Sequence, residues 1–140
     1  MNILITGASG LVGSGLVQHL FSKGHEIFSL QRNSDQTGPF WRFDKIPTGS
    51  DQASFAAVIH LAGENIATGR WTQSKKDKIL NSRIEGTRQL AEYCAGLPVK
   101  PQVFFCASAI GYYGNRGDET LDESSSPGTN FVAEVCRAWE

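Results

Sequence analysis

The sequence predicts an α/β fold built on a doubly wound parallel sheet, and three observations predict it. Short apolar runs alternate along the chain with longer amphipathic ones, as strands alternate with crossover helices. The short runs are apolar almost throughout rather than at every second residue, the pattern of strands buried on both faces. A glycine-rich turn lies directly behind the first of them. At 140 residues the chain has one domain's worth of length, and no linker composition divides it, so one domain over residues 1–140 is expected.

Residues 2–6 (NILIT) open the chain as a β-branched strand. Leu11, Val12, Leu16 and Leu20, widened by Val17 and Phe21, then recur at helical spacing until Lys23-Gly24 supplies a stop. Residues 25–30 (HEIFSL) form a second strand, 40–43 (FWRF) a short third and 56–62 (AAVIHLA) a fourth. A long helix is expected between Thr72 and Ala95, with Leu80, Ile84, Thr87, Ala91 and Cys94 as its inward stripe and Pro98 and Pro101 as breakers. Residues 103–107 (VFFCA) make a fifth strand. A Gly- and acid-rich loop runs from there through Gly128, and an apolar helix spans 131–139. About five parallel strands result, joined by right-handed crossovers.

Thirteen basic against fourteen acidic side chains leave a net charge of −1 without a long block of one sign, which provides no footprint for nucleic acid or an anionic membrane. No run reaches the roughly 18 apolar residues of a membrane span. Cys94, Cys106 and Cys136 are odd in number and lack metal-ligand or C-x-x-C spacing, so free thiols in a reducing, cytoplasmic setting are expected. Asp118, Glu119, Asp122 and Glu123 have no nearby His or Cys and read as a solvated face, not a metal site. His19, His25 and His60 fall on helix or strand and read as structural.

The turn Gly7-Ala8-Ser9-Gly10-Leu11-Val12-Gly13 sits where the first strand becomes the first helix. Gly7 permits a tight turn, Gly10 lets backbone approach a pyrophosphate, and Gly13 permits close helix–strand contact. The unpaired N–H groups opening the helix, including those near Ser9, Leu11 and Val12, face such an anion with the positive end of the helix dipole. Spacing alone is weak evidence. Gly111, Gly114 and Gly117 repeat it, but Asp118, Glu119 and Asp122 follow them instead of an amphipathic helix.

A dinucleotide site also needs a reader of the adenosine ribose at the end of the second strand. Arg32 stands there, 19 residues past Gly13, and no acidic residue occupies that strand end. A guanidinium suits a 2′-phosphate, which a carboxylate would repel, so NADP is favoured over NAD. Asp35, three residues on, is the competing carboxylate. Leu61-Ala62-Gly63 end the fourth strand with small residues that permit close approach of a cofactor. Arg83 lies one helical step off the Ile84 stripe, with the small Gly86 next on its line, and is a further ligand candidate; Lys75, Lys76 and Lys78 read as a solvated basic face.

With Thr6-Gly7-x-x-Gly10-x-x-Gly13, Leu61-Ala62-Gly63-Glu64-Asn65, Ser82-Arg83-x-x-Gly86-Thr87 and Ser108-Ala109-x-Gly111-Tyr112-Tyr113-Gly114, the chain resembles the extended short-chain dehydrogenase/reductases. Arg70-Trp71, the GYYG run and Phe131…Cys136-x-x-Trp139-Glu140 are similar to its atypical branch of epimerase family proteins, related to NAD-dependent epimerase/dehydratases. The resemblance implies a Rossmann sheet with NADP held by the Gly7–Gly13 turn, Gln31, Arg32, Leu61, Ala62 and Arg83. It also implies that this chain matches the N-terminal portion of a family about twice its length, whose later part binds substrate.

Redox members of that superfamily carry a Tyr-x-x-x-Lys pair on the helix after the fifth strand, where Lys lowers the Tyr pKa for proton exchange. Alignment on Glu140 puts Val132 and Cys136 at those positions, and neither can do that work. Ser108 matches the catalytic hydroxyl, and Tyr112 and Tyr113 are substitute acids. Two functions follow as expectations. One is an NADP-dependent oxidoreductase or epimerase acting on a small polar or nucleotide-sugar substrate. The other is a non-catalytic NADP(H)-binding or sensing protein.

Overall fold

The computed structural model describes residues 1–33, 40–46 and 54–140. Among them are four strands and three α-helices: β1 (Asn2–Thr6), α1 (Leu11–Ser22), β2 (Glu26–Leu30), β3 (Ala57–His60), α2 (Gln73–Gly96), β4 (Val103–Cys106) and α3 (Phe131–Trp139). All four strands are parallel, in the order β2-β1-β3-β4. The chain therefore steps outward from β1 in one direction through α1, and in the other through α2. Right-handed crossovers in opposite directions put the two helices on opposite faces, as in a Rossmann sheet.

Side-chain alternation along β1 shows the two faces. Leu4 joins Leu30, Val58, Trp41, Phe55, Leu90 and Cys94 in the core beneath α2. Ile3 and Ile5 point the other way and are equally buried. Both faces of the central strand are thus covered, which explains the unbroken apolar run of residues 3–5.

Four strands stand where five were expected, because residues 40–43 do not form one. Trp41 makes a single antiparallel bridge with Arg32, and Phe43–Lys45 close a 3-10 turn. The aromatic side chains of this segment are used in packing instead. Trp41 is buried, its indole N–H donates to the Gly86 carbonyl at 2.6 Å, and Phe43 stacks on Tyr93 at 4.4 Å. Gly86 makes this approach feasible, since a Cβ there would lie 3.2 Å from the Phe40 ring.

That packing also rotates α2 relative to the predicted stripe. The buried positions are Ile79, Ser82, Gly86, Leu90 and Cys94, whereas Leu80 and Ile84 are half-buried and Ala91 is exposed. Hydrophobicity chose the wrong phase because two of the inward positions, Ser82 and Gly86, are selected for smallness and hydrogen bonding. The α1 stripe also departs from expectation. Only Gly13 is buried in that helix, and Leu11, Val12 and Phe21 are exposed. β4 is an edge strand, with Val103 at 54% and Phe105 at 53% exposure.

Candidate functional site

The turn between β1 and α1 is held by its own backbone: Gly10 N–H donates to Gly7 C=O at 3.0 Å, and Ser14 N–H to Gly10 C=O at 2.9 Å. Gly7 adopts φ +72°, a left-handed conformation that disfavours a side chain, and a Cβ there would sit 2.8 Å from the backbone of Leu61 and Ala62. At Gly13 a Cβ would lie 2.1 Å from Gly7 O. These two glycines set how closely β1, β3 and α1 approach. Gly10, the N-cap of α1, makes no side-chain cap, and no acidic residue stands in the first turn. By contrast, α2 is capped by Thr72 and α3 by Asn130. The N–H groups opening α1 are left without a side-chain acceptor, the arrangement that suits a bound phosphate.

That helix end opens into a cleft of about 760 Å³ lined by the Gly7–Gly10 segment, Leu30, Gln31, Arg32, Trp41 and Leu61–Gly63. Because β2 and β3 flank β1, the cleft has two banks, with Gln31 and Arg32 on one and Leu61, Ala62 and Gly63 on the other. The structure thus brings Gly7, Ser9, Gly10, Gln31, Arg32, Leu61, Ala62 and Gly63 around one space. Leu11, Val12, Gly13 and Arg83 line an adjoining hollow of about 540 Å³ that shares Gly7, Gly10 and Leu61–Gly63. Asp35, the competing ribose reader, lies outside the described residues.

Arg83 is held rather than free. Its Nη1 donates to the carbonyls of Glu64 and Ile79, both at 3.2 Å, and its guanidinium lies 5.1 Å from the centre of the Trp139 ring. The same guanidinium rests against Gly63, where a Cβ would come within 3.0 Å of it. Burial lowers its pKa, opposed by Cys136 and the Glu64 carboxylate. A fixed cation therefore stands over the β3 end beside the phosphate turn.

The expected basic face of α2 is only partly solvated. Lys75 is buried to 15% exposure and its Nζ meets Glu64 Oε1 at 2.7 Å, while Lys76 lies 5.3 Å from the centre of the Phe131 ring. Lys75 is drawn in because Glu64 follows the β3 end with a carboxylate that needs a counter-ion. The hydrogen bond from Lys75 holds the Glu64 carboxyl below its ordinary range, with the charges of Lys75 and Arg32 acting the same way. Arg32 Nη1 lies 3.8 Å from Glu64 Oε2. Glu64 and Trp139 stand in motifs that carry the family resemblance, but sequence pattern assigns neither of them a role in the site. Their signals were an acid directly behind the strand-end glycine and an aromatic closing the last helix.

The second group of candidates lies farther along the same sheet edge. Ser108, two residues past β4, lines a hollow of about 570 Å³ with Ala109, Ile110, Tyr112, Tyr113, Glu123 and Glu140. Its hydroxyl donates to the Glu140 carboxylate. The Tyr112 and Tyr113 rings meet edge to face at 5.2 Å in a 3-10 turn over Ile110–Tyr113. Val132 packs against Gly111, where a Cβ would overlap its Cγ1 at 2.3 Å, and the Cys136 thiol approaches Ala109 O at 3.8 Å. Val132 and Cys136 therefore both face this loop, the first with no ionisable group and the second with a thiol whose pKa burial raises.

His60 is fully buried on β3, 2.5 Å from Thr6 Oγ1 and edge to face with Trp41, so its role is structural. Burial first, and then the Arg83 charge, lowers its pKa to about 4. Cys94, Cys106 and Cys136 are free thiols, and Asp118, Glu119, Asp122 and Glu123 are exposed. Among the described residues no cluster of His, Cys, Asp and Glu could hold a metal ion, and no helix is long and apolar enough to cross a membrane.

Comparison with known proteins converges on one family. The model of the NAD dependent epimerase/dehydratase family matches residues 3–133. An epimerase family protein of Mycobacterium leprae is 34% identical over 99% of this chain, which covers 45% of that protein, so the chain spans about half the length of such relatives. The crystal structure of human epimerase family protein SDR39U1 with NADPH superposes with TM-score 0.83 at 29% identity, covering 99% of this chain and 47% of that one. A nucleoside-diphosphate sugar epimerase from Corynebacterium glutamicum does so with TM-score 0.73 at 39% identity, covering 99% and 29%. The match spans nearly the whole sheet and its first glycine turn, and this chain belongs to the NAD dependent epimerase/dehydratase family.

Proposed function

We propose that the chain binds NADP and forms the cofactor half of an oxidoreductase or epimerase acting on a small polar or nucleotide-sugar substrate. One observation carries the cofactor reading: α1 opens without a side-chain cap into a cleft whose far bank holds Arg32. Gly7, Ser9, Gly10, Leu11, Val12 and Gly13 would take the diphosphate, and Gln31 and Arg32 the phosphorylated ribose. Leu61, Ala62 and Gly63 would line the opposite bank, with Arg83 adding a cation beside it. The human relative crystallised with NADPH supports this choice. When bound, the cofactor supplies or accepts a hydride.

Ser108 and one tyrosine of the Tyr112–Tyr113 pair are the reacting groups of this proposal. The Ser108 proton is engaged by Glu140, so the Ser108 oxygen is open to a substrate hydroxyl and the carboxylate stands ready to take the proton released. Substrate would enter the hollow these residues line. The free thiols support a reducing, cytoplasmic setting.

A second reading, a non-catalytic NADP(H)-binding protein, is favoured by Val132 and Cys136 at the positions of the missing Tyr-x-x-x-Lys pair. Oxidation of bound NADPH by a carbonyl compound in a full-length relative would exclude it. Calorimetric titration of this chain with NADPH, NADH and adenosine diphosphate tests the cofactor reading. Arg32→Ala is expected to weaken NADPH about tenfold more than NADH, the lower range for a charge-assisted hydrogen bond because Arg32 is 55% exposed. Equal losses for both would remove Arg32 from the 2′-phosphate, and absence of binding would refute the whole reading.

A further inference from the structure

We propose that Glu64 sets how strongly this site discriminates NADP from NAD, acting as the counter-ion that Arg32 must leave to engage a 2′-phosphate. The inference rests on the reading of Arg32 given above. Arg32 follows β2 and Glu64 follows β3, so their pair spans the crevice above the β1 turn.

The two partners are held very unequally. Glu64 N–H donates to Ser82 Oγ at 2.9 Å, its C=O accepts from Arg83 Nη1 at 3.2 Å, and its Oε1 accepts from Lys75 Nζ at 2.7 Å. Three side chains of α2 therefore fix this residue. Arg32 is more than half exposed, and its guanidinium meets the carboxylate only at 3.8 Å. Arg32 is the partner that swings, and Glu64 stays.

The consequence differs between the two cofactors. A 2′-phosphate brings a charge of about −1.5 to −2 within a Debye length of the fixed carboxylate, and Lys75 offsets that repulsion only in part. A 2′-hydroxyl brings no charge and could donate to the carboxylate, as it does to the acidic ribose readers of NAD sites. The acid missing from the β2 end is supplied across the crevice from β3. Glu64 therefore narrows the NADPH preference that Arg32 creates.

Titration of wild type, Glu64→Gln, Arg32→Ala and the double variant with NADPH and NADH decides the matter. Glu64→Gln should raise the ratio of NADPH to NADH affinity about two- to fivefold, the range of an exposed ion pair, and should raise it by a smaller factor in the Arg32→Ala background, where only the direct action of the carboxylate on the 2′ group is left to remove. NADH binding reports that each variant is folded. If loss of the Lys75 partner unfolds Glu64→Gln, Glu64→Asp decides instead: it keeps a charge for Lys75 but withdraws it from Arg32, and the ratio should rise by a smaller factor. An unaltered or lowered ratio in the folded variant overturns the role of Glu64. A wild type whose NADPH preference is absent, or is insensitive to Arg32→Ala, instead overturns the reading of Arg32.

Discussion

Two alanine substitutions on the same helix turn, at Gly13 and Gly15, should act in opposite directions. Glycine in a helix interior costs about 1 kcal/mol relative to alanine, so each substitution gains roughly that amount from backbone preference. At Gly15 nothing lies within 4 Å of the added Cβ, so the gain stands alone. At Gly13 the Cβ would be 2.1 Å from the Gly7 carbonyl oxygen, where ordinary contact begins at 3.4 Å, so the turn and the helix must part. Overpacking of this kind costs about 3 kcal/mol when rigid backbone is the obstacle, leaving a net loss of about 2 kcal/mol. For a domain of this size 1 kcal/mol moves Tm by about 3–5 °C. Thermal melts should place Gly15→Ala about 3–5 °C above wild type and Gly13→Ala about 6–10 °C below it. The displaced turn should also weaken NADPH more than tenfold in Gly13→Ala. If Gly13→Ala instead melts above wild type and binds NADPH undiminished, the close approach of α1 to the Gly7 turn is not what shapes the site.

Acid should destabilise the fold through His60. Its pKa is about 4 in the folded chain against an ordinary 6.5, so between those values the unfolded chain takes up a proton that the folded chain refuses. Stability present above pH 6.5 is therefore lost as the pH falls toward 4, by on the order of 2–3 kcal/mol. Urea unfolding of His60→Gln should show a shallower pH dependence across that window, and an unchanged slope would assign the acid sensitivity to other groups. Asn130→Ala removes the acceptor of the Ala133 N–H at 2.9 Å and should cost about 1 kcal/mol, read as a lower urea midpoint without a change in m. A variant with the wild-type midpoint would show that the cap contributes nothing to α3.

The strands β1, β2, β3 and β4 were legible within two residues at every boundary: the central β1 and β3 because a strand covered on both faces has no polar side to blur its apolar run, and the outer β2 and β4 because they carry apolar runs even though much of their surface is exposed. The phosphate turn was legible because glycine is the residue that can satisfy the +72° φ at Gly7 and the close contact at Gly13 at little steric cost. Residues 40–43 were misread for a related reason. Their aromatic, strand-like composition serves packing onto Gly86, and composition cannot tell an aromatic that pairs in a sheet from one that plugs a helix. The α2 stripe failed likewise, since Ser82 and Gly86 face inward without being hydrophobic.

Taken alone, the sequence determined the α/β class, the order of its principal elements, the glycine turn and the cation at the β2 end, because each depends on chain-local pattern. Tertiary structure alone decided that Glu64 faces Arg32 across the crevice and that Lys75 turns inward to meet it. It also decided that Arg83 lies between Gly63 and Trp139, and that Ser108 gives its proton to Glu140. Those pairings join residues up to 56 positions apart, and which of them meet is set by strand order and helix phase. No local pattern of residues encodes either one.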